Sequence, residues 1–255
     1  MAPTAAPVLW QFRHSHYNEK ARWALDWKRV PHVRRSLLPG PHVPRVLWMT
    51  GQKSVPVLVC DGTAVADSTR IIETLERRHP ETPLYPRDPT LRRRALELEE
   101  FFDEELGPHV RRTVFHSVLS DGPFTASLMS GGFPRGARRL YGWAFPLVRA
   151  VMRMDMQIDD AGAARGRAKI SAALDTIRDE LQPSGYLVGD GFTVADLTAA
   201  ALLYPLVRPP EFPYPVPDAW PDAVERLCGA FAGHPTLAWA SDMYRRHRGT
   251  SAEIA

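Results

Sequence analysis

Ser15-His16-Tyr17-Asn18-Glu19-Lys20-Ala21-Arg22 closely follows the apolar run Val8-Leu9-Trp10-Gln11-Phe12, and the junction between the two sets the fold. Residues 8–12 read as a strand. Tyr17, Ala21, Ala24 and Leu25 then recur at i, i+4, i+7 and i+8, the spacing of one buried helical face. Ser15 therefore stands at a strand-to-helix corner, with its hydroxyl beside the free amides of a helix N-terminus, a place that holds an anion. Read alone, the same residue is an ordinary helix cap.

Outward from that corner the pattern continues as a strand over 32–38, a short irregular helix near 45–50, two more strands and a helix. Val55 to Cys60 is rich in β-branched residues, Asp61-Gly62 is a favoured two-residue hairpin turn, and Thr63 to Ala66 returns. The next helix carries Ile71, Ile72 and Leu75 and ends near His79-Pro80. This is a βαβ half followed by a ββα half. Pro80 and Pro83 open a linker in which continued helix is disfavoured.

Beyond Leu91 the periodicity is helical almost to the end. A first helix is predicted from Leu91 to about Leu119, kinked at Gly107-Pro108. Asp121-Gly122-Pro123 and Ser130-Gly131-Gly132 mark a loop, and residues 138–158 read as an apolar helix broken or bent at Pro146, buried rather than lying on a membrane surface, because Arg149, Arg153 and Asp155 fall among apolar residues without forming a wide basic face. A helix over 168–181 follows. Thr193 with Asp196 three residues on forms a capping box, flanked by Phe192 and Leu197 at hydrophobic-staple positions. Prolines from Pro209 to Pro217 make an extended loop before helices near 219–232 and 235–247.

Hydrophobic residues at 44% and charged residues at 24% are ordinary globular values, so two modest domains with cores of their own are expected. The start, residues 1–7, lacks the basic head and apolar core of a signal peptide, and no run reaches the roughly 18 apolar residues of a membrane span. A soluble, cytoplasmic protein without membrane association is the expectation. Cys60 and Cys228 fit no metal or disulfide spacing. The formal charge is only +3, and Arg34-Arg35, Arg77-Arg78, Arg111-Arg112, Arg138-Arg139 and Arg245-Arg246 are scattered over separate elements, which argues against nucleic acid as a partner.

Four motifs in chain order carry a likeness. Ser15-His16-Tyr17-Asn18 stands where thioredoxin-like proteins carry a Cys, a Pro, an aromatic residue and a further residue; Ser54-Val55-Pro56-Val57-Leu58, Asp67-Ser68 and Phe192-Thr193-Val194-Ala195-Asp196-Leu197 follow. On these residues the chain resembles the Ser-containing, bacterial-type cytosolic glutathione transferases. The likeness covers nearly all of the chain and is weakest from about Ser120 to Lys169. It implies an α/β thioredoxin-like glutathione-binding domain over 1–80, a linker over 81–90, and an all-helical domain over 91–255 that contributes the electrophile site. It also implies glutathione as co-substrate, no metal, a small, largely apolar electrophile as second substrate, a role in detoxification, and a homodimer formed through the third and fourth helices.

The resemblance assigns roles residue by residue. Ser15 is the catalytic candidate. A thiol near the ordinary Cys pKa must lose about two units to ionise at neutral pH, roughly 2.7 kcal/mol. A hydrogen bond to the thiolate supplies about 1.5–3 kcal/mol, and the helix N-terminus about 0.3–1. Val55-Pro56 is expected to be cis and to pair with the cysteinyl backbone; the alternative is a proline opening an edge strand. Asp67 would meet the ammonium and Ser68 the carboxylate of the γ-glutamyl head, although relatives mostly carry Glu or Gln where Asp67 stands; simple capping is the alternative.

Gln52 and Lys53 would meet the glycine carboxylate, against the reading of solvated side chains. His16, and His14 beside it, are candidates for contact with thiol or substrate. His109, Arg112 and His116 form a polar stripe that would suit a polar or acidic acceptor if it faces the cleft, and is a solvated face otherwise. Asn18 in place of a second Cys excludes dithiol exchange.

A glutathione transferase is the leading expectation. Its alternatives are a non-catalytic ligand- or partner-binding relative and a glutathione-dependent isomerase or dehalogenase. Only Lys20, Lys28, Lys53 and Lys169 stand among 32 Lys and Arg residues, a coding bias of GC-rich bacteria, some of which use a different small thiol.

Overall fold

The computed structural model describes residues 5–254; part of the segment read for a leader, residues 1–4, and Ala255 lie outside the described residues. The N-terminal unit runs β1 (Val8–Gln11), α1 (His16–Trp27), β2 (Val33–Ser36), α2 (Val43–Thr50), β3 (Val57–Cys60), β4 (Thr63–Ala66) and α3 (Ser68–Arg78). Its sheet has the order β2-β1-β3-β4, with β1 parallel to β2 and antiparallel to β3, and β3 antiparallel to β4. The β3–β4 hairpin closes through Asp61 and Gly62, both at positive φ (50° and 76°), as a tight two-residue turn requires. The fold is the expected thioredoxin-like βαβ-ββα unit followed by helices alone.

The helical unit comprises α4 (Pro89–Phe101), a π-helical turn (Phe102–Leu106), α5 (Gly107–Val118), α6 (Gly122–Met129), α7 (Arg135–Asp155), α8 (Asp160–Glu180), α9 (Val194–Val207), α10 (Asp222–Gly229) and α11 (Pro235–His247). The long first helix is interrupted one turn ahead of the predicted place. The π turn absorbs the disruption, and Pro108 falls in the first turn of α5, where its missing amide hydrogen costs nothing. Gly107 at this joint is needed for close approach: a Cβ there would stand 2.3 Å from the Tyr17 hydroxyl.

Three expectations for the middle of the chain are corrected. The loop from Asp121 to Gly132 contains α6, capped by Asp121 with Pro123 in its first turn. The helix predicted from Ala168 begins at Asp160, because Gly162 and Gly166 admit neighbouring side chains rather than break the helix; a Cβ on Gly166 would lie 2.2 Å from Thr113 Oγ1. The helix over 138–158 is not buried. Within α7 only Tyr141 and Phe145 are buried, while Leu140, Trp143, Leu147, Val151 and Met154 face outward. The capping box at the start of α9 is present as read, with Thr193 Oγ1 accepting from the Ala195 amide and Asp196 Oδ2 accepting from the Thr193 amide.

One apolar core runs through both units, from Leu9, Trp23 and Ile71 to Phe102, Leu197 and Tyr244. A small second core of Leu119, Ala126, Tyr141, Phe145 and Ile158 ties α6 and α7 to the end of α5 and touches Leu38 beyond β2. Buried charges fasten the two units. Arg248 reaches Glu19 at 2.6 Å and Asp26 at 2.8 Å, Arg22 pairs with Glu19, Arg34 pairs with Asp26, and the Ala252 amide donates to Asp26.

Candidate active site

The corner between β1 and α1 places Ser15 half-buried, with extended backbone (φ −125°, ψ 128°), immediately before the first turn of α1. Its hydroxyl makes no capping bond. Instead Asn18, one turn along and fully buried, reaches back to it. The Phe12 amide can only donate, so it takes Asn18 Oδ1 (3.2 Å); Asn18 Nδ2 must then face Ser15 Oγ, to which it donates at 2.6 Å, and the Val55 carbonyl at 3.4 Å. Because Ser15 Oγ accepts from Asn18, its own hydrogen is free to point outward as a donor. Asn18 thus joins the Ser15 corner to the Val55-Pro56 element, whose peptide bond is cis.

The Asp67 amide donates to the Pro56 carbonyl at 3.3 Å, which links that element to the start of α3. Asp67 holds φ at +82°, a region that favours glycine, and its Oδ1 accepts from the amides of Thr69 and Arg70. With those two amides taken, the Ser68 amide is a remaining donor of the first turn, and Asp67 Oδ2 remains for a cation. Ser68 is buried at this junction. Ser15, Val55, Asp67 and Ser68 therefore form one connected edge of the N-terminal unit.

Gln52 and Lys53 are committed elsewhere. Gln52 folds back on the backbone of Ser54, donating to its carbonyl at 2.8 Å and accepting from its amide. The Lys53 ammonium pairs with Asp155 at the end of α7, both side chains about half exposed, and so bridges the two units.

His16 turns away from Ser15. Its Nε2 meets the Gly107 carbonyl at 3.1 Å, and burial, with Arg111 nearby, pulls its pKa down to about 3. His14, stacked on Phe212, is pulled down to about 4 by burial and by Arg22 and Arg13. Neither imidazole is protonated at neutral pH. Tyr17, the other hydroxyl near the corner, donates to the Asp103 carbonyl at 2.8 Å.

The stripe on α5 divides. His116 pairs with Asp160 at 2.8 Å, and His109, its pKa lowered by burial and by Arg112, leaves Nδ1 buried without a partner. Arg112 donates to the Met156 carbonyl at 3.2 Å and lines a cavity of about 190 Å³ together with Pro108, Arg111, Asp155, Met156 and Gln157. Arg111 was not singled out from the sequence. It lines that cavity, with its guanidinium 6.0 Å from the Tyr17 ring. Its one signal was position, a turn beyond the helix-opening Pro108. Among the described residues no three His, Cys, Asp or Glu side chains gather as a metal site, and no helix is long and apolar enough to cross a membrane.

Comparison with known proteins bears on the fold and the family. Residues 9–83 match the profile of the glutathione S-transferase N-terminal domain, and residues 160–227 that of the C-terminal domain. A glutathione S-transferase from Methylobacterium radiotolerans, solved with glutathione sulfonate, is 23% identical, with a TM-score of 0.62 over 98% of this chain and 96% of that one. One from Xanthobacter autotrophicus is 20% identical, with a TM-score of 0.64 over 96% of each chain. At such identities the likeness is one of fold. A curated Caenorhabditis elegans protein, "Probable maleylacetoacetate isomerase", is 34% identical over 91 residues, 35% of this chain, and the match spans only 42% of that relative's length. Two profiles of one family, one for each unit and together spanning more than half of the sequence, make this chain a member of the glutathione S-transferase family.

Proposed function

We propose that the chain is a glutathione transferase in which the Ser15 hydroxyl donates to the glutathione sulfur and keeps it as thiolate for attack on an electrophilic carbon. The observation that carries this reading is the Asn18 amide donating to Ser15 Oγ, which leaves the Ser15 hydrogen pointing outward. One charge-assisted hydrogen bond of about 1.5–3 kcal/mol, with the start of α1 adding about 0.3–1 kcal/mol, matches the roughly 2.7 kcal/mol needed to lower a thiol by two pKa units. The Ser68 amide and the free Asp67 oxygen suit the carboxylate and ammonium of the γ-glutamyl group. The Val55 backbone lies beside the cysteinyl part, and Arg111 and Arg112 line the side from which the electrophile enters.

The test is ultraviolet titration of the bound thiol together with conjugation assays on a broad electrophile panel. Wild type is expected to hold the thiol ionised at neutral pH. Ser15→Ala should raise its pKa by one to two units and cut kcat/KM by roughly ten- to a hundred-fold, with glutathione still bound in a thermal-shift assay. An unchanged thiol pKa in Ser15→Ala refutes the assignment.

A second reading has its own support in the partial match to the C. elegans isomerase. There the same thiolate adds to a conjugated double bond, rotation follows about the resulting single bond, and elimination returns the thiol. Recovery of unconsumed glutathione with a rearranged product separates it from conjugation.

A further inference from the structure

Helix α7 presents two faces that nothing among the described residues covers. Leu140, Trp143, Leu147, Val151 and Met154, each between 51% and 80% exposed, fall within an arc of about 80° and along about 21 Å of helix. Beside this stripe a groove of about 880 Å³ opens between α6 and α7, where Arg135, Arg138, Arg139, Arg149 and Arg153 surround an apolar floor that includes Phe145. Among the described residues none of the five arginines pairs with a carboxylate. Arg138 touches only Ser127 Oγ at 3.4 Å, and the one acid of α7, Asp155, is held by Lys53. Both profile matches leave out this segment, which lies between residues 83 and 160.

The occupant must be anionic and must also take apolar side chains. A second copy of the chain meets the second need only. The stripe spacing of 3, 4, 4 and 3 residues reads the same from either end, so two α7 helices fit antiparallel, but packing stripe on stripe leaves the arginine groove, centred about 130° round the helix, without an anion. Nucleic acid meets the first need only, leaving Trp143 and its neighbours in water. An anionic bilayer meets both: phosphates at the arginines and, a few ångströms deeper, an apolar boundary for the stripe.

We propose that the α6–α7 hairpin docks the protein on an anionic lipid surface, with α7 in the headgroup plane, Trp143 and Leu147 at the acyl boundary, and the arginine groove on lipid phosphates. Asp155 and Met156, at the end of α7, line the small cavity near Arg111, so docking brings the mouth of the cleft to the membrane.

The experiment is co-sedimentation of the full chain with phosphatidylcholine vesicles, with and without phosphatidylglycerol, at low and high salt. Light scattering without lipid is run alongside. Expected is pelleting with phosphatidylglycerol vesicles, lost at high salt, and at least about ten-fold weaker on phosphatidylcholine alone. Trp143→Ser/Leu147→Ser should weaken binding about ten-fold or more, and each of Arg138→Gln, Arg139→Gln and Arg149→Gln roughly five-fold. These side chains are solvent-facing, so circular dichroism should match wild type. If the double variant nevertheless misfolds, quenching of wild-type tryptophan fluorescence by brominated lipid decides, with quenching expected. Four results overturn the proposal: no binding to anionic vesicles at low salt, equal binding to neutral ones, full displacement by inorganic phosphate, or a stripe-dependent dimer that leaves vesicles unbound.

Discussion

Helices α1 and α7 both carry cations and apolar residues at helical spacing, and the fold treats them in opposite ways. In α1 ten of twelve residues are buried, and its charges are met inside the molecule: Lys20 by Glu99, Asp103 and Thr69, Arg22 by Glu19, and Glu19 and Asp26 by Arg248. Burial pulls the Lys20 ammonium toward neutrality, but the carboxylates of Glu99 and Asp103 more than offset it and hold its pKa above the ordinary value. In α7 two residues of twenty-one are buried, and among the described residues its five arginines meet no acid. A cation whose partners come from three other elements is fixed by the whole fold. A cation with none is free for something outside it.

The largest effect expected from that contrast is at Arg248, which is 2% exposed and clamps the end of α11 to α1. Arg248→Ala strips two buried carboxylates of one partner each and should cost about 3–5 kcal/mol, roughly 6–20 °C in Tm for a chain of this size. Calorimetry checks it; a shift under 2 °C would mean that the buried network does not hold the units together.

Next comes the direction of one hydrogen bond. In Asn18→Asp the carboxylate still accepts from Phe12 but draws the Ser15 hydrogen toward itself, so the outward donor is lost. Under the proposed mechanism the bound thiol pKa should rise by about one to two units and kcat/KM fall roughly ten- to a hundred-fold. Retained activity would separate the buried order of α1 from its chemistry.

Much of this contrast was legible beforehand in α1 and little of it in α7. The corner at Ser15, the Asp61-Gly62 turn and the Thr193–Asp196 box depend on residues within four positions of one another, so sequence carries them whole. Asn18 was legible in place but not in role, because its role rests on Phe12 and Val55, brought together only by the sheet. The apolar periodicity of residues 138–158 is the same whether a helix faces a core or faces outward, and in the structure α8 packs on α5 while α7 packs on α6. Likewise His109, Arg112 and His116 read as one stripe, yet the position of α8 gives His116 to Asp160 and leaves Arg112 alone at the cavity.

Smaller effects follow from protons and caps. His16 and His14, neutral in the fold with pKa values of about 3 and about 4, bind protons near pH 6.5 once unfolded. Their stability contribution is therefore whole above about pH 6.5 and is lost as pH falls, until the folded imidazoles themselves protonate. In the range from about pH 6 to 4 each should contribute a slope of up to about 1.4 kcal/mol per pH unit. His16→Gln, which can still donate to the Gly107 carbonyl, should flatten the dependence of Tm on pH; an unchanged slope would show that His16 opens to water. Thr193→Ala, which loses a cap while Asp196 keeps the amides of Leu187 and Thr193, should cost about 1 kcal/mol.

The smallest effect is the sharpest test of the contrast. Arg149 lies in the α6–α7 groove among four other arginines, and among the described residues no carboxylate pairs with it. Arg149→Gln removes no ion pair among the described residues and relieves repulsion from Arg138, Arg139 and Arg153. Folding stability should stay within about 0.5 kcal/mol, shifting upward at low salt and returning to the wild-type value at high salt, where like charges are screened over less than about 10 Å. A loss above 1 kcal/mol in chemical denaturation would mean that Arg149 has a partner inside the fold, and α7 would then belong with α1.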